Sequence, residues 1–167
     1  LNIPPKALSL NGELGLAFGS RGKGGKRAAA AHYERDTTGQ VTPNRVVINL
    51  TREHGAGSLA HEWFHAVDNY FARMRGEKAG MLTEKPYPNG EGVRPEMVMA
   101  FRDLMKAITS TGVMARSRNL DKKRTKDYWS TGLEMAARSF ESYVIAKLHE
   151  QNAANDYLAN IVPEESY

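Results

Sequence analysis

Short apolar runs between turn residues fill the first fifty positions of the chain. Residues 8–18 form one such run, which glycines interrupt, and residues 46–50 form another that reads Val-Val-Ile-Asn-Leu. Residues 28–34 are rich in alanine but are bounded by glycine-rich and turn-rich segments, so we expect a strand there as well. The pattern predicts three short strands, the last two joined by a turn.

Apolar residues recur at helical spacing after residue 57. The repeat covers residues 57–75, 95–112 and 130–151. A Gly- and Pro-rich stretch between the first two segments predicts a loop long enough to cover a functional site. Residues 116–126 hold six basic residues against one acidic residue, which is typical of a solvated loop. Strands followed by helices indicate an α+β fold.

The first predicted helix contains the sequence His61-Glu62-Trp63-Phe64-His65. Residues four apart lie one above the other on an α-helix, so His61 and His65 can direct two imidazoles at one metal ion. Glu62 lies about 100° round the helix, where its carboxylate can reach a water molecule at the metal without coordinating. The alternative is an amphipathic helix that carries two histidines at this spacing by chance. The H-E-x-x-H pattern favours a metal site with Glu62 as general base.

Composition limits the classes of protein that the chain can represent. Its 167 residues, 41% of them apolar and 25% charged, predict one globular domain over residues 1–167. The absence of cysteine excludes disulfides, cysteine zinc ligands and cysteine nucleophiles. No apolar run approaches the roughly 20 residues of a membrane span and no signal peptide is visible, so we expect a cytoplasmic protein without membrane contact. The two chain ends suggest a domain excised from a longer polypeptide.

The chain is moderately basic, with a formal net charge of +4 and a pI near 9.3. Basic residues cluster in residues 20–27 and 116–126. The first cluster does not satisfy the G-x-x-x-x-G-K pattern of a phosphate-binding loop. Both clusters suit contact with a nucleic acid, and the alternative for each is a solvated surface.

A catalytic zinc usually takes three protein ligands, so the two histidines need a partner. The metzincin pattern requires Gly at position 68 and His at position 71, where this chain has Asp68 and Phe71. Asp68 lies ~10 Å along the helix from His61, which suits support of a ligand better than coordination. Glu134 is the remaining candidate, but it also completes a capping box with Thr131 and an i,i+4 salt bridge with Arg138. Spacing alone leaves these alternatives open.

Two segments of the chain resemble the glutamate-zincin metallopeptidases, such as the anthrax lethal factor catalytic domain. They are the H-E-x-x-H sequence at residues 61–65 and the sequence E-x-x-A-x-x-F at residues 134–140. The resemblance implies that Glu134 is the third zinc ligand and that Tyr128 stabilises the transition state. The alternative for Tyr128, which lies beside Trp129, is a packing role.

A wider resemblance covers most of the chain. Residues 12–19, 31–34, 47–51 and 55–65, with the Glu-Met segment at 134–135, look like the zincin-like large polyvalent protein-associated domain of the first numbered type. That domain is found in very long proteins of phages and conjugative elements. The resemblance implies an excised module and a peptidase of unnamed substrate. It also implies a bacterial host cytoplasm as the location, with delivery alongside phage or mobile-element DNA as one route.

We therefore expect an α+β zincin-like fold in which a small N-terminal sheet packs on the H-E-x-x-H helix, with two further helices. The expected function is zinc-dependent hydrolysis of peptide bonds in a protein or peptide substrate. Two alternatives remain, a zinc-containing binding module without catalysis and a nucleic-acid-binding module. The expected site consists of zinc ligands His61, His65 and Glu134, catalytic residues Glu62 and Tyr128, and carboxylates Asp68 and Glu141 that orient the histidines.

Overall fold

The computed structural model describes residues 2–19, 31–35, 46–51, 55–76, 80–84 and 92–159. Within these ranges the chain forms a small sheet and several helices, which confirms the α+β class. The strands are β1 (Leu14–Phe18), β2 (Ala31–Glu34) and β3 (Val46–Leu50). The helices are α1 (Pro5–Leu8), α2 (Leu59–Met74), α3 (Pro95–Ser110), α4 (Val113–Asp121) and α5 (Gly132–Glu150).

The sheet has the strand order β1-β3-β2 in the described part of the chain. β1 pairs with β3 in parallel, with Leu16 opposite Ile48, and β2 pairs with β3 antiparallel, with Tyr33 opposite Ile48. Every residue of β3 is buried, including the polar Asn49, because this strand has a neighbour on each side. The three predicted strands are confirmed, whereas the turn between β2 and β3 falls mostly on residues outside the described ranges.

Helix α2 follows β3 after eight residues and packs between the sheet and α5. Gly55 lies in this connection and approaches Thr51 closely, because a Cβ atom there would lie 2.5 Å from the Thr51 carbonyl oxygen. Phe64 of α2 and Met135 of α5 meet in the largest core cluster, and Met135 is only 1% exposed. Burial of a side chain of that size contributes about 1.5–3 kcal/mol. The α2–α5 interface therefore sets the relative position of the two helices that carry the candidate ligands.

Helix α4 corrects the expectation of a solvated loop at residues 116–126. The chain is helical from Val113 to Asp121, so three helices of nine or more residues follow α2 rather than the two expected. Leu120 near its end is exposed, and its apolar contacts with the core cluster come from the first turn, where Val113 and Met114 pack. The charged residues that follow hide the helical period in the sequence. Helices α3 and α5 match the predicted segments within two residues.

None of the helices in the described ranges is long and apolar enough to cross a membrane.

Candidate metal centre

The side chains of His61, His65 and Glu134 converge where α2 meets the first turn of α5. The His61 Nε2 atom lies 3.5 Å from Glu134 Oε2, and the His65 Nε2 atom lies 3.4 Å from Glu134 Oε1. The two Nε2 atoms are 3.1 Å apart. One potential ligand atom from each of the three residues lies within 4.8 Å of the other two, which makes the group able to hold a metal ion.

The three side chains are largely removed from solvent, with 13%, 7% and 8% of the His61, His65 and Glu134 side chains exposed. The Nδ1 atom of His65 is buried and has no hydrogen-bond partner among the residues that the structure describes. Two imidazole nitrogens that face each other and a carboxylate need a proton or a cation between them. This donor set of two nitrogens and a carboxylate fits a borderline divalent cation.

Glu134 does not form the capping box that its sequence context allows. Helix α5 has Thr131 at its N-cap without a side-chain cap, and the Thr131 hydroxyl donates instead to the Tyr128 carbonyl at 2.8 Å. The predicted salt bridge is confirmed, because Arg138 Nη2 donates to Glu134 Oε2 at 2.9 Å. Burial by itself raises the pKa of Glu134, but hydrogen bonds and charges of the two histidines outweigh it and hold the pKa well below its ordinary value.

Glu62 lies beside the three converging residues rather than among them. It is 8% exposed, and the backbone N–H of Tyr33 in β2 donates to its carboxylate. Burial raises the pKa of Glu62, while the neighbouring histidines act in the opposite direction. The edge strand β2 therefore holds this carboxylate next to the candidate metal position.

Tyr128 reaches the centre from the loop before α5. Burial, followed by the charge of Glu134 and a hydrogen bond between the Tyr128 hydroxyl and Glu134, raises the pKa of Tyr128 to about 12. Its ring also contacts Trp129, with the centroids 5.5 Å apart. Tyr128 thus packs against Trp129, as its position in the sequence allowed, and its hydroxyl contacts the candidate ligand Glu134.

The two carboxylates expected to orient the histidines differ in position. Glu141 Oε2 lies 3.8 Å from the outer nitrogen, Nδ1, of His61. Asp68 instead accepts hydrogen bonds from the Thr83 N–H at 2.9 Å and the Thr83 hydroxyl at 2.5 Å. Asp68 therefore holds residues 80–84 to α2, while its expected role in orienting a histidine stays a prediction.

Asp121 is a structural determinant of the site that sequence reasoning missed. Its Oδ1 atom accepts from the N–H groups of Tyr128 and Trp129 at 3.0 and 2.9 Å, and Oδ2 accepts from the Ser130 N–H and hydroxyl at 2.8 and 2.7 Å. Burial acts to raise the pKa of Asp121, but these hydrogen bonds lower it to about 2. The only signal in the sequence was a lone acid within a basic run.

Replacing Asp121 by Asn tests the contribution of these hydrogen bonds. The pKa near 2 lies below the ~3.9 of an unfolded aspartate, so the carboxylate stabilises the fold above about pH 4 and loses this effect as the pH falls towards 2. We expect Asp121→Asn to lower the free energy of unfolding at neutral pH and to flatten its decline between pH 4 and 2. Urea denaturation across this range measures both.

The exposed Asp103 of α3 provides the matched control for that experiment. Asp103→Asn should leave the free energy of unfolding and its pH dependence close to those of the wild type. An Asp121→Asn protein as stable as the wild type at neutral pH would contradict a stabilising role for the carboxylate.

The basic clusters have different outcomes. Residues 20–27 lie outside the described residues. Arg116 and Arg118 lie on α4, and the remaining cations of the second cluster lie on the loop that follows it, all exposed to solvent.

Of the comparisons with known proteins, the one with family models gives a match to this chain. No curated protein and no solved structure shows significant similarity to the chain. The family model of large polyvalent protein-associated domain 1 matches residues 120–166, a segment that contains Asp121, Tyr128, Glu134 and Glu141 but not the two histidines. The chain is therefore similar to this domain over residues 120–166, which confirms the resemblance to the family over that segment.

Proposed function

We propose that this chain is a zinc-dependent peptidase domain with a zincin-like fold. The observation that carries the proposal is the convergence of His61, His65 and Glu134 on one point, with the Glu62 carboxylate beside them. A structural zinc site normally has four protein ligands, whereas a catalytic one has three and leaves a position open. Three candidate ligands and an adjacent carboxylate favour catalysis over a purely structural metal.

The spacing of the candidate ligand atoms fits zinc. In a tetrahedral site with bonds of about 2.0–2.1 Å, neighbouring ligand atoms lie about 3.3 Å apart. The separations among His61, His65 and Glu134 are 3.1, 3.4 and 3.5 Å. When bound, zinc supplies a Lewis acid that polarises the substrate carbonyl and lowers the pKa of a water molecule.

Glu62 is the residue that takes the proton from the attacking water in this proposal. Its carboxylate is buried beside the histidines and fixed by the Tyr33 N–H, so it approaches the reacting atoms in one orientation. Burial raises its affinity for a proton relative to an exposed glutamate. The same strand, β2, lies at one edge of the described sheet. We expect an extended substrate to add to this edge, which would bring its backbone past Glu62.

Tyr128 donates a hydrogen bond to the oxyanion that develops at the attacked carbonyl. A contact made mainly in the transition state affects kcat rather than KM. We expect Tyr128→Phe to lower kcat by roughly 10–100-fold and to change KM by less than about threefold. Steady-state kinetics on a cleaved peptide measures this split. Unaltered turnover by the folded variant would leave Tyr128 with a packing role alone.

A peptide library tests the proposed activity across many candidate sequences at once. Zinc-loaded protein should cleave a subset of peptides, detected as new termini by mass spectrometry. Protein stripped with a chelator should cleave none, and restored zinc should return the same cleavage sites. Retention of zinc without cleavage of any peptide would instead support the non-catalytic binding module.

A further inference from the structure

The basic loop, which we define as residues 122–127, is closed by hydrogen bonds between the residue before it and the residues after it. Asp121, which precedes the loop, accepts hydrogen bonds from the N–H groups of Tyr128, Trp129 and Ser130, which follow it. A segment closed in this way presents its side chains from a fixed position rather than as a solvated run.

Arg138 connects the end of the basic loop to the candidate metal centre. Its Nη1 atom donates to the Trp129 carbonyl at 3.3 Å, and its Nη2 atom donates to Glu134 at 2.9 Å. The Tyr128 hydroxyl interacts with the same Glu134 carboxylate. The residues that follow the basic loop therefore contact Glu134, a candidate metal ligand, through the Tyr128 hydroxyl and through Arg138.

The basic loop offers positive charge that the described protein does not neutralise. Lys122, Lys123, Arg124 and Lys126 are exposed, and no carboxylate in the described ranges forms an ion pair with them. The loop contains a single acid, Asp127. The Arg124 guanidinium lies over the Tyr128 ring, 4.8 Å from its centre, which places one of these charges against the candidate catalytic tyrosine.

We infer that the basic loop selects peptides with acidic side chains on the Tyr128 side of the cleavage site. This inference rests on the proposed peptidase function and adds a substrate class to it. A peptide whose reacting carbonyl lies at the Tyr128 hydroxyl continues past the ring and meets Arg124 and the lysines. Carboxylates at those positions gain attraction from several exposed cations, whereas lysine or arginine at the same positions meets repulsion.

The aromatic residues beside the basic loop favour a peptide over a single-stranded nucleic acid. Single strands bind by stacking bases on free aromatic faces as well as by charge. The guanidinium of Arg138 lies 3.8 Å from the centre of the Trp129 ring, and Arg124 and Arg138 both lie over the Tyr128 ring. A guanidinium therefore already lies against each ring, which leaves less aromatic surface for a base to stack on.

Peptide binding tests the inference separately from catalysis. The probes are three fluorescent ligands of equal length: a glutamate-rich peptide, its glutamine counterpart and a single-stranded DNA oligonucleotide. Anisotropy is measured with zinc-loaded Glu62→Gln protein at low and high salt. We expect the acidic peptide to bind about tenfold more tightly than the neutral one at low salt, and the preference to shrink at high salt.

Alanine at Lys122, Lys123 and Lys126 together should abolish this preference. Alanine at the exposed Lys6, Arg102 and Lys106 removes the same charge from α1 and α3 and should preserve it. Equal binding of the two peptides, equal loss in the control, or salt-sensitive binding of the DNA alone would overturn the inference. If the wild type hydrolysed the neutral peptide as well as the acidic one, the inference would be overturned and the proposed peptidase function would stand. If binding were charge-selective but no peptide were hydrolysed, the result would count against the peptidase function alone.

Discussion

Glu62→Gln protein is expected to bind zinc as tightly as the wild type while its peptide hydrolysis falls by about 10²-fold or more. The substitution keeps the size of the side chain and its capacity to accept from the Tyr33 N–H, but it removes the group that takes a proton. The three candidate ligands are untouched. Zinc affinity and steady-state hydrolysis, measured on the same preparation, separate binding from chemistry.

Glu96→Gln on the exposed surface of α3 is the matched control, because it makes the same chemical change away from α2 and α5. Its hydrolysis rate should equal that of the wild type. If Glu62→Gln hydrolysed peptides at the wild-type rate, another residue would have to act as the base. If it lost zinc instead, Glu62 would be a ligand or a support for one.

Glu134→Ala is expected to weaken zinc binding by more than about 100-fold. Loss of a ligand should cost more than loss of a supporting carboxylate, which typically reduces metal affinity 10–100-fold. The change also removes the carboxylate that offsets the Arg138 charge near the two histidines, which adds repulsion against a cation. Competition with a chromogenic chelator measures the affinity of the folded variant.

Glu141→Gln provides the graded comparison for Glu134→Ala. Glu141 lies 3.8 Å from the outer nitrogen of His61, so its loss should weaken zinc binding by a smaller factor than loss of Glu134. Zinc affinity that is unchanged in Glu134→Ala would show that the metal takes a different third ligand. A larger loss in Glu141→Gln than in Glu134→Ala would exchange the roles of the two carboxylates.

Local patterns predicted the secondary structure where one face of an element is apolar along its whole length. Helices α2, α3 and α5 show such a face, and the mostly apolar run at residues 46–50 predicted the strand β3. Helix α4 escaped detection because its apolar contacts with the core cluster come from its first turn and most of its remaining positions are polar or charged. The parallel pairing of β1 with β3 depends on contacts between distant segments, which no local pattern records.

The residues of the candidate site likewise differ in whether local sequence patterns could predict them. His61, Glu62 and His65 are visible in the sequence because the helix itself sets their geometry. The sequence around Glu134 is compatible with a capping box, a salt bridge or metal coordination. Only the packing of α5 on α2 brings its carboxylate to the histidines. Asp121 and Asp68 act through hydrogen bonds to loops that lie seven to fifteen residues away. Such hydrogen bonds produce no periodic pattern in the sequence, so the partners of these two residues could not be predicted.

Titration of zinc-free protein with zinc, followed by peptide hydrolysis, tests the proposed function most directly. The centre formed by His61, His65 and Glu134 predicts that the rate rises in proportion to added zinc and reaches its plateau at one equivalent per chain. No hydrolysis at any zinc concentration, or an equal rate in the zinc-free protein, would contradict it.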